Sequence, residues 1–122
     1  MDLGHFELSL DVADLAASKN FYSTLGFEVI DGDETAGWLI VRNTSLTLGL
    51  YQGHVPANLM NFRGKDVFEI AAQLKQAGLK LHKEAEIEPD GSAGAWIKDP
   101  DGNLIYFNTA PNETNPRPNT SP

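Results

Sequence analysis

ADLAASKNFYSTLGFEVI, residues 13–30, holds a helix and the start of a strand. Asp14 is placed to cap the helix, because a short carboxylate there accepts an otherwise orphaned backbone N–H. Leu15, Phe21, Tyr22 and Leu25 make an apolar stripe, and Gly26 is a natural C-terminal stop. Phe27 to Ile30 restarts as a strand. Upstream, Glu7 to Val12 alternates, with Leu8, Leu10 and Val12 on one face and Glu7, Ser9 and Asp11 on the other, the pattern of a half-buried strand. Downstream, Trp38 to Val41 and Leu46 to Leu50 read as two more strands around the turn Asn43-Thr44-Ser45. The order is strand, helix and three strands.

The same order starts again. Leu59 to Arg63 alternates, Asp66 precedes a stripe of Val67, Ile70, Leu74 and Ala77, and Gly78 ends it. Leu79 to Leu81, Gly94 to Ile97 and Leu104 to Phe107 read as three further strands, the last entered through the turn chemistry of Asp99-Pro100-Asp101-Gly102-Asn103. Laying residue i over i+52 matches Leu10 with Phe62, Asp14 with Asp66, Leu15 with Val67 and Gly26 with Gly78. In the last strands the offset becomes 57, matching Leu48 with Ile105 and Leu50 with Phe107. The extra residues are expected in an acidic, Gly-containing loop from Lys83 to Gly94. The chain is thus an internal repeat of two units.

With 122 residues, 41% apolar and 21% charged, the composition is that of one globular domain. Residues 1–110 are expected to form it, as module one about 5–52 and module two about 58–109, with a Pro/Asn-rich tail over 111–122. The absence of cysteine excludes a thiolate metal site and suits a reducing cytoplasm. MDLGHFELSL lacks the basic region and apolar stretch of a signal peptide, and no apolar run is long enough to span a bilayer. The net charge of −8, with lysines and arginines scattered singly, argues against nucleic acid and anionic membranes as partners. It favours a cationic small molecule if the acids converge on a pocket.

VADLAASKNFYSTLGFEV in the first half and IKDPDGNLIYF near the end resemble the vicinal oxygen chelate superfamily, which includes glyoxalase I, the bleomycin-resistance proteins and the extradiol dioxygenases. The resemblance implies an α+β fold of two βαβββ modules whose sheets curl around a shared cavity, with the helices outside. It places Leu8, Leu10 and Val12 against the first helix, and Met60, Phe62, Ile105 and Phe107 on the side of the second.

The metal-dependent members take one ligand from the first and last strand of each module. Carried over, those positions are Glu7, Gly49, Leu59 and Tyr106. Only Glu7 is an ordinary ligand, and one carboxylate does not hold a catalytic ion against water. No metal or other cofactor is therefore expected. His5 shares parity with Glu7, but His54 falls in the linker between modules and His82 at a strand end, so the histidines read as unrelated surface residues.

Parity gives the inward set: Glu7, Ser9, Asp11, Thr47, Gly49, Tyr51, Leu59, Asn61, Arg63, Leu104, Tyr106 and Asn108, with Trp38 and Trp96 on strands apolar on both faces. From it, Ser9, Asp11, Gly49, Tyr51, Asn61, Arg63, Trp96, Tyr106 and Asn108 are the candidate ligand-binding residues, a mixed aromatic and polar lining suited to an organic molecule. Gly49 is expected to widen the floor. Tyr106 either offers a ligand its ring and hydroxyl or plugs the void that a lost metal leaves. Arg63 would pair with Glu7 or Asp11 if it faced inward, although exposure is the simpler reading for Asp11 and Arg63 near their strand ends. The expectation is a metal-free binding protein, homodimeric as the resemblance implies. The alternatives are a lyase, isomerase or dioxygenase with Glu7 as metal ligand or general base, or an accessory domain with no ligand.

Overall fold

The structure, a computed structural model, describes residues 1–111 and Glu113. All of the tail except Pro111 and Glu113 lies outside the described residues. The chain divides into two compact units: Glu7–Leu59, and Met1–Phe6 together with the chain from Met60 onward.

The first unit holds β1 (His5–Asp11) from Glu7 onward, α1 (Leu15–Thr24), β2 (Glu28–Asp33), β3 (Trp38–Asn43) and β4 (Leu46–Tyr51). Its strands lie in the order β2-β3-β4-β1. β3 runs antiparallel to β2 and β4, while β4 pairs in parallel with β1. Asp14 caps α1 through Ala17 N–H, and Gly26 reverses the chain with φ 97°. That conformation is cheap only without a Cβ. Leu15 of α1 packs with Leu39, Val41, Leu48 and Leu50, and Leu8, Leu10, Val12, Tyr22 and Phe27 close around them. The helix-facing set expected of β1 is therefore in place.

The second unit repeats the order with β5 (Leu59–Arg63, counted here from Met60), α2 (Val67–Gln76), β6 (Lys83–Ile87), β7 (Ala93–Lys98) and β8 (Leu104–Thr109), arranged β5-β8-β7-β6. Asp66 caps α2 through Glu69 N–H. Ile70, Ala71, Leu81, Ile97 and Phe107 form its core, with Phe62, Leu74 and Ile105 against them. Met60 is half-buried.

The strand registers carry the repeat. Leu10 pairs with Leu50 in the first unit, and Phe62 with Phe107 in the second. These are the matches at offsets 52 and 57 made from sequence.

One element differs from expectation. Leu79–Leu81 is not a strand; the second strand of the unit is β6, inside the stretch expected to be a loop. Leu81 turns into the core at 7% exposure while Leu79 stays 50% exposed, so the stretch bridges helix and sheet without alternating. Pairing begins when His82 N–H reaches the Trp96 carbonyl. The charged run Lys83-Glu84-Ala85-Glu86-Ile87 suits an edge strand, where one side faces water. Among the described residues, no helix is long and apolar enough to cross a membrane.

Candidate functional site

In the first unit, alternation along β1 sends Glu7 and Ser9 to the sheet face opposite α1. β1 and β4 align so that Ser9 lies beside Gly49 and Asp11 beside Tyr51. Three side chains converge there. Glu7 Oε2 accepts a hydrogen bond from Ser9 Oγ at 2.7 Å and another from the Tyr51 hydroxyl at 2.8 Å. Ser9 is 2% exposed, whereas Glu7 and Tyr51 are half-buried. Two hydroxyl donors on one carboxylate oxygen are charge-assisted bonds, stronger than neutral ones.

Gly49 does not widen a floor. A Cβ built there would collide with Glu7 Oε2 and Tyr51 Cε2 and come within 2.7 Å of Glu7 Cδ. The missing side chain is the space that the carboxylate and the phenol ring occupy. Asp11 is exposed, and its backbone N–H is held by Asn58 Oδ1 at 2.8 Å.

In the second unit the face opposite α2 carries a different set. β7 and β8 pair Gly94 with Asn108 and Trp96 with Tyr106, and β5 and β8 pair Asn61 with Tyr106. Trp96 and Tyr106 stack with ring centroids 4.1 Å apart and planes 25° apart. The Tyr106 ring lies over Gly94, where a Cβ would meet Cε1 at 2.8 Å and Cζ at 3.0 Å. Burial pushes the Tyr106 phenol above its ordinary value and the Glu88 carboxylate adds to this, while Lys83 and the Asn108 amide pull the other way.

Asn108 Nδ2 donates to Asn61 Oδ1 at 2.9 Å, and Asn61 is buried. Asn108 Oδ1 is the one buried side-chain polar atom without a hydrogen-bond partner among the described residues. Arg63 is exposed and pairs with Glu113 at 3.5 Å, not with Glu7 or Asp11. It stands at the end of β5, two residues beyond the buried Asn61.

The four positions that the resemblance matches to metal ligands can be tested against these contacts. Glu7 has one oxygen committed to two hydroxyls, Gly49 has no donor, Leu59 is a buried alkyl group, and Tyr106 is a phenol stacked on an indole. That donor set does not fit a divalent ion. His54 Nε2 is hydrogen-bonded to the Ala36 carbonyl at 2.7 Å, and His5 and His82 are exposed. Among the described residues, no three His, Cys, Asp or Glu side chains are grouped to hold a metal.

Of the residues selected from sequence, Glu7, Ser9, Gly49 and Tyr51 come together in the first unit and Asn61, Trp96, Tyr106 and Asn108 in the second, while Asp11 and Arg63 stay exposed outside both clusters. Gly94 was not among them. The signal was available, because Gly94 shares parity with Trp96 in the small-residue run Ala93-Gly94-Ala95.

The fold is that of a two-module α+β protein of the glyoxalase type. The chain belongs to the glyoxalase/bleomycin resistance protein/dioxygenase superfamily, whose family model matches residues 2–107. Among solved structures it is similar to a Legionella pneumophila protein described as an NAD-dependent benzaldehyde dehydrogenase, with 18% identity, TM-score 0.71 and coverage of 85% of this chain and 97% of that one. It is also similar to a superfamily member from Vibrio splendidus, with 16% identity, TM-score 0.67 and coverage of 86% and 97%. A Staphylococcus aureus protein matches with 14% identity, TM-score 0.62 and coverage of 89% and 98%. At such identities the likeness is one of fold. No curated protein matches the chain.

Proposed function

We propose that this chain is a metal-free binding protein that sequesters a small organic molecule, as a homodimer. The observation that carries the reading is the state of Glu7. The one conventional ligand among the four inherited positions has its Oε2 saturated by Ser9 and Tyr51, over a glycine whose missing side chain makes room for the arrangement. What the second unit offers is recognition chemistry: a stacked indole and phenol and a pair of carboxamides. The net charge of −8 favours a cationic ligand.

The test is calorimetric titration of chelator-treated protein with Mn(II), Ni(II), Zn(II) and Fe(II), then with benzamidine as a planar cationic probe. Glu7→Gln is the control. The expected result is no heat with any ion and saturable heat with benzamidine. Stoichiometric metal binding that disappears in Glu7→Gln overturns the reading and makes the chain a lyase, isomerase or dioxygenase candidate with Glu7 as ligand.

A further inference from the structure

The second unit contains a site already filled by its own side chain. Gly94 leaves a recess in the sheet face, and the Tyr106 ring lies in it, stacked on Trp96. Beside it, Asn108 is paired across the strands with Gly94 and holds an amide oxygen that is buried and unbonded. The orientation of that amide follows from its partner: with Nδ2 donating to Asn61 Oδ1, the oxygen is turned the other way. A buried acceptor with no donor is unfavourable. Tyr106 brings a flat ring to this place without satisfying the acceptor.

We infer that the Gly94 recess is a subsite for a flat aromatic group bearing an N–H donor, which displaces the Tyr106 ring, stacks on Trp96 and donates to Asn108 Oδ1. This rests on the ligand-binding reading above and names the ligand class for one part of it. The exchange replaces one stacked ring by another and gives the Oδ1 acceptor a donor, in place of the contact between the Asn108 amide and the Tyr106 hydroxyl. Tyr106 is thus a stand-in that competes with the ligand, and it also sets specificity. A ring that fits its place but carries no donor gains nothing over the tyrosine it expels. Asn108 provides the discrimination, since a buried acceptor favours a ligand that can donate over one that cannot.

The test compares benzamide with N,N-dimethylbenzamide, which keeps the flat ring and the carbonyl but has no N–H. Both are titrated into wild type, Tyr106→Ala and Asn108→Leu, and backbone amide shifts are followed by NMR. Benzamide is expected to shift Gly94 and Trp96 in wild type and to bind roughly tenfold more tightly in Tyr106→Ala, where no stand-in has to leave. N,N-dimethylbenzamide is expected to bind more weakly than benzamide in both, and Asn108→Leu to erase the difference. If Asn108→Leu does not fold, the comparison of the two amides in Tyr106→Ala decides alone.

Equal binding of the two amides, or no gain in Tyr106→Ala, overturns the inference. If benzamide leaves Gly94 and Trp96 unmoved while benzamidine still gives saturable heat with wild type, the inference falls and the binding reading stands. If neither probe binds, both fall, whether or not a metal does.

Discussion

At the scale of single residues, Gly49 leaves the space in which two neighbouring side chains stand. Glu7 and Tyr51 close over it. Gly49→Ala is therefore expected to destabilise the protein by about 1–3 kcal/mol, the usual cost of overpacking. Urea denaturation measures it. In a Glu7→Ala background the penalty should shrink, because one of the two groups met by the new methyl has gone; an undiminished penalty would place the conflict elsewhere.

Asp99 supplies a second residue-level prediction. It accepts hydrogen bonds from Asp101 N, Asn103 N and Asn103 Nδ2 at 2.8–2.9 Å, so the turn that reads from Pro100 and Gly102 is held by the aspartate ahead of them. The Asn103 side chain first, and its backbone N–H next, keep the Asp99 carboxyl below its ordinary value of 3.8. A carboxylate depressed in the folded state contributes stability that is present above its unfolded value and lost as pH falls through the lower, folded one. The Asn103 amide resonance should accordingly stay fixed at neutral pH and move only below about 3.8, and Asp99→Asn should flatten that transition.

At the scale of elements, legibility followed the strength of local chemistry. Both helices were readable to the capping residue, since Asp14 and Asp66 each precede an apolar stripe that a glycine ends. Asp14→Ala and Asp66→Ala should each cost about 1 kcal/mol, measured by thermal or urea unfolding, with the helix start losing hydrogen-exchange protection. Strands facing a core were readable because alternation is imposed by burial on one side only. β6 was not, because Lys83–Ile87 is an edge strand with only Ala85 half-buried, and an edge strand rich in charge looks like a loop. Leu79 and Leu81 misled for the complementary reason: apolar residues two apart suggested a strand where the chain was descending from α2 to place one leucine in the core. Of the site, the participants were legible and their mutual contacts were not. Parity says which face a residue takes, while the bond from Tyr51 to Glu7 and the lodging of Tyr106 over Gly94 depend on rotamers, which no periodicity encodes.

At the scale of the whole molecule, two terms compete in the proposed homodimer. The first unit exposes Phe21, Leu25, Val29 and Ile30, on α1, β2 and the turn between them, and burying any of these side chains is favourable. Against it stands a charge of −8 on each 13.3 kDa chain, so two copies repel each other before they touch. The terms separate by their response to salt. Near 0.1 M ionic strength the screening length is about 10 Å, and at 1 M it is about 3 Å, so added salt weakens the repulsion and leaves the apolar contribution intact. Sedimentation equilibrium should therefore give twice 13.3 kDa, with the dimer tightening as salt rises. Ile30→Asp, which adds a charge to the exposed apolar surface of β2 and removes part of that surface, should shift the equilibrium toward monomer at every salt concentration. A dimer that loosened with salt would be held by ion pairs instead, and one indifferent to Ile30→Asp would use another face.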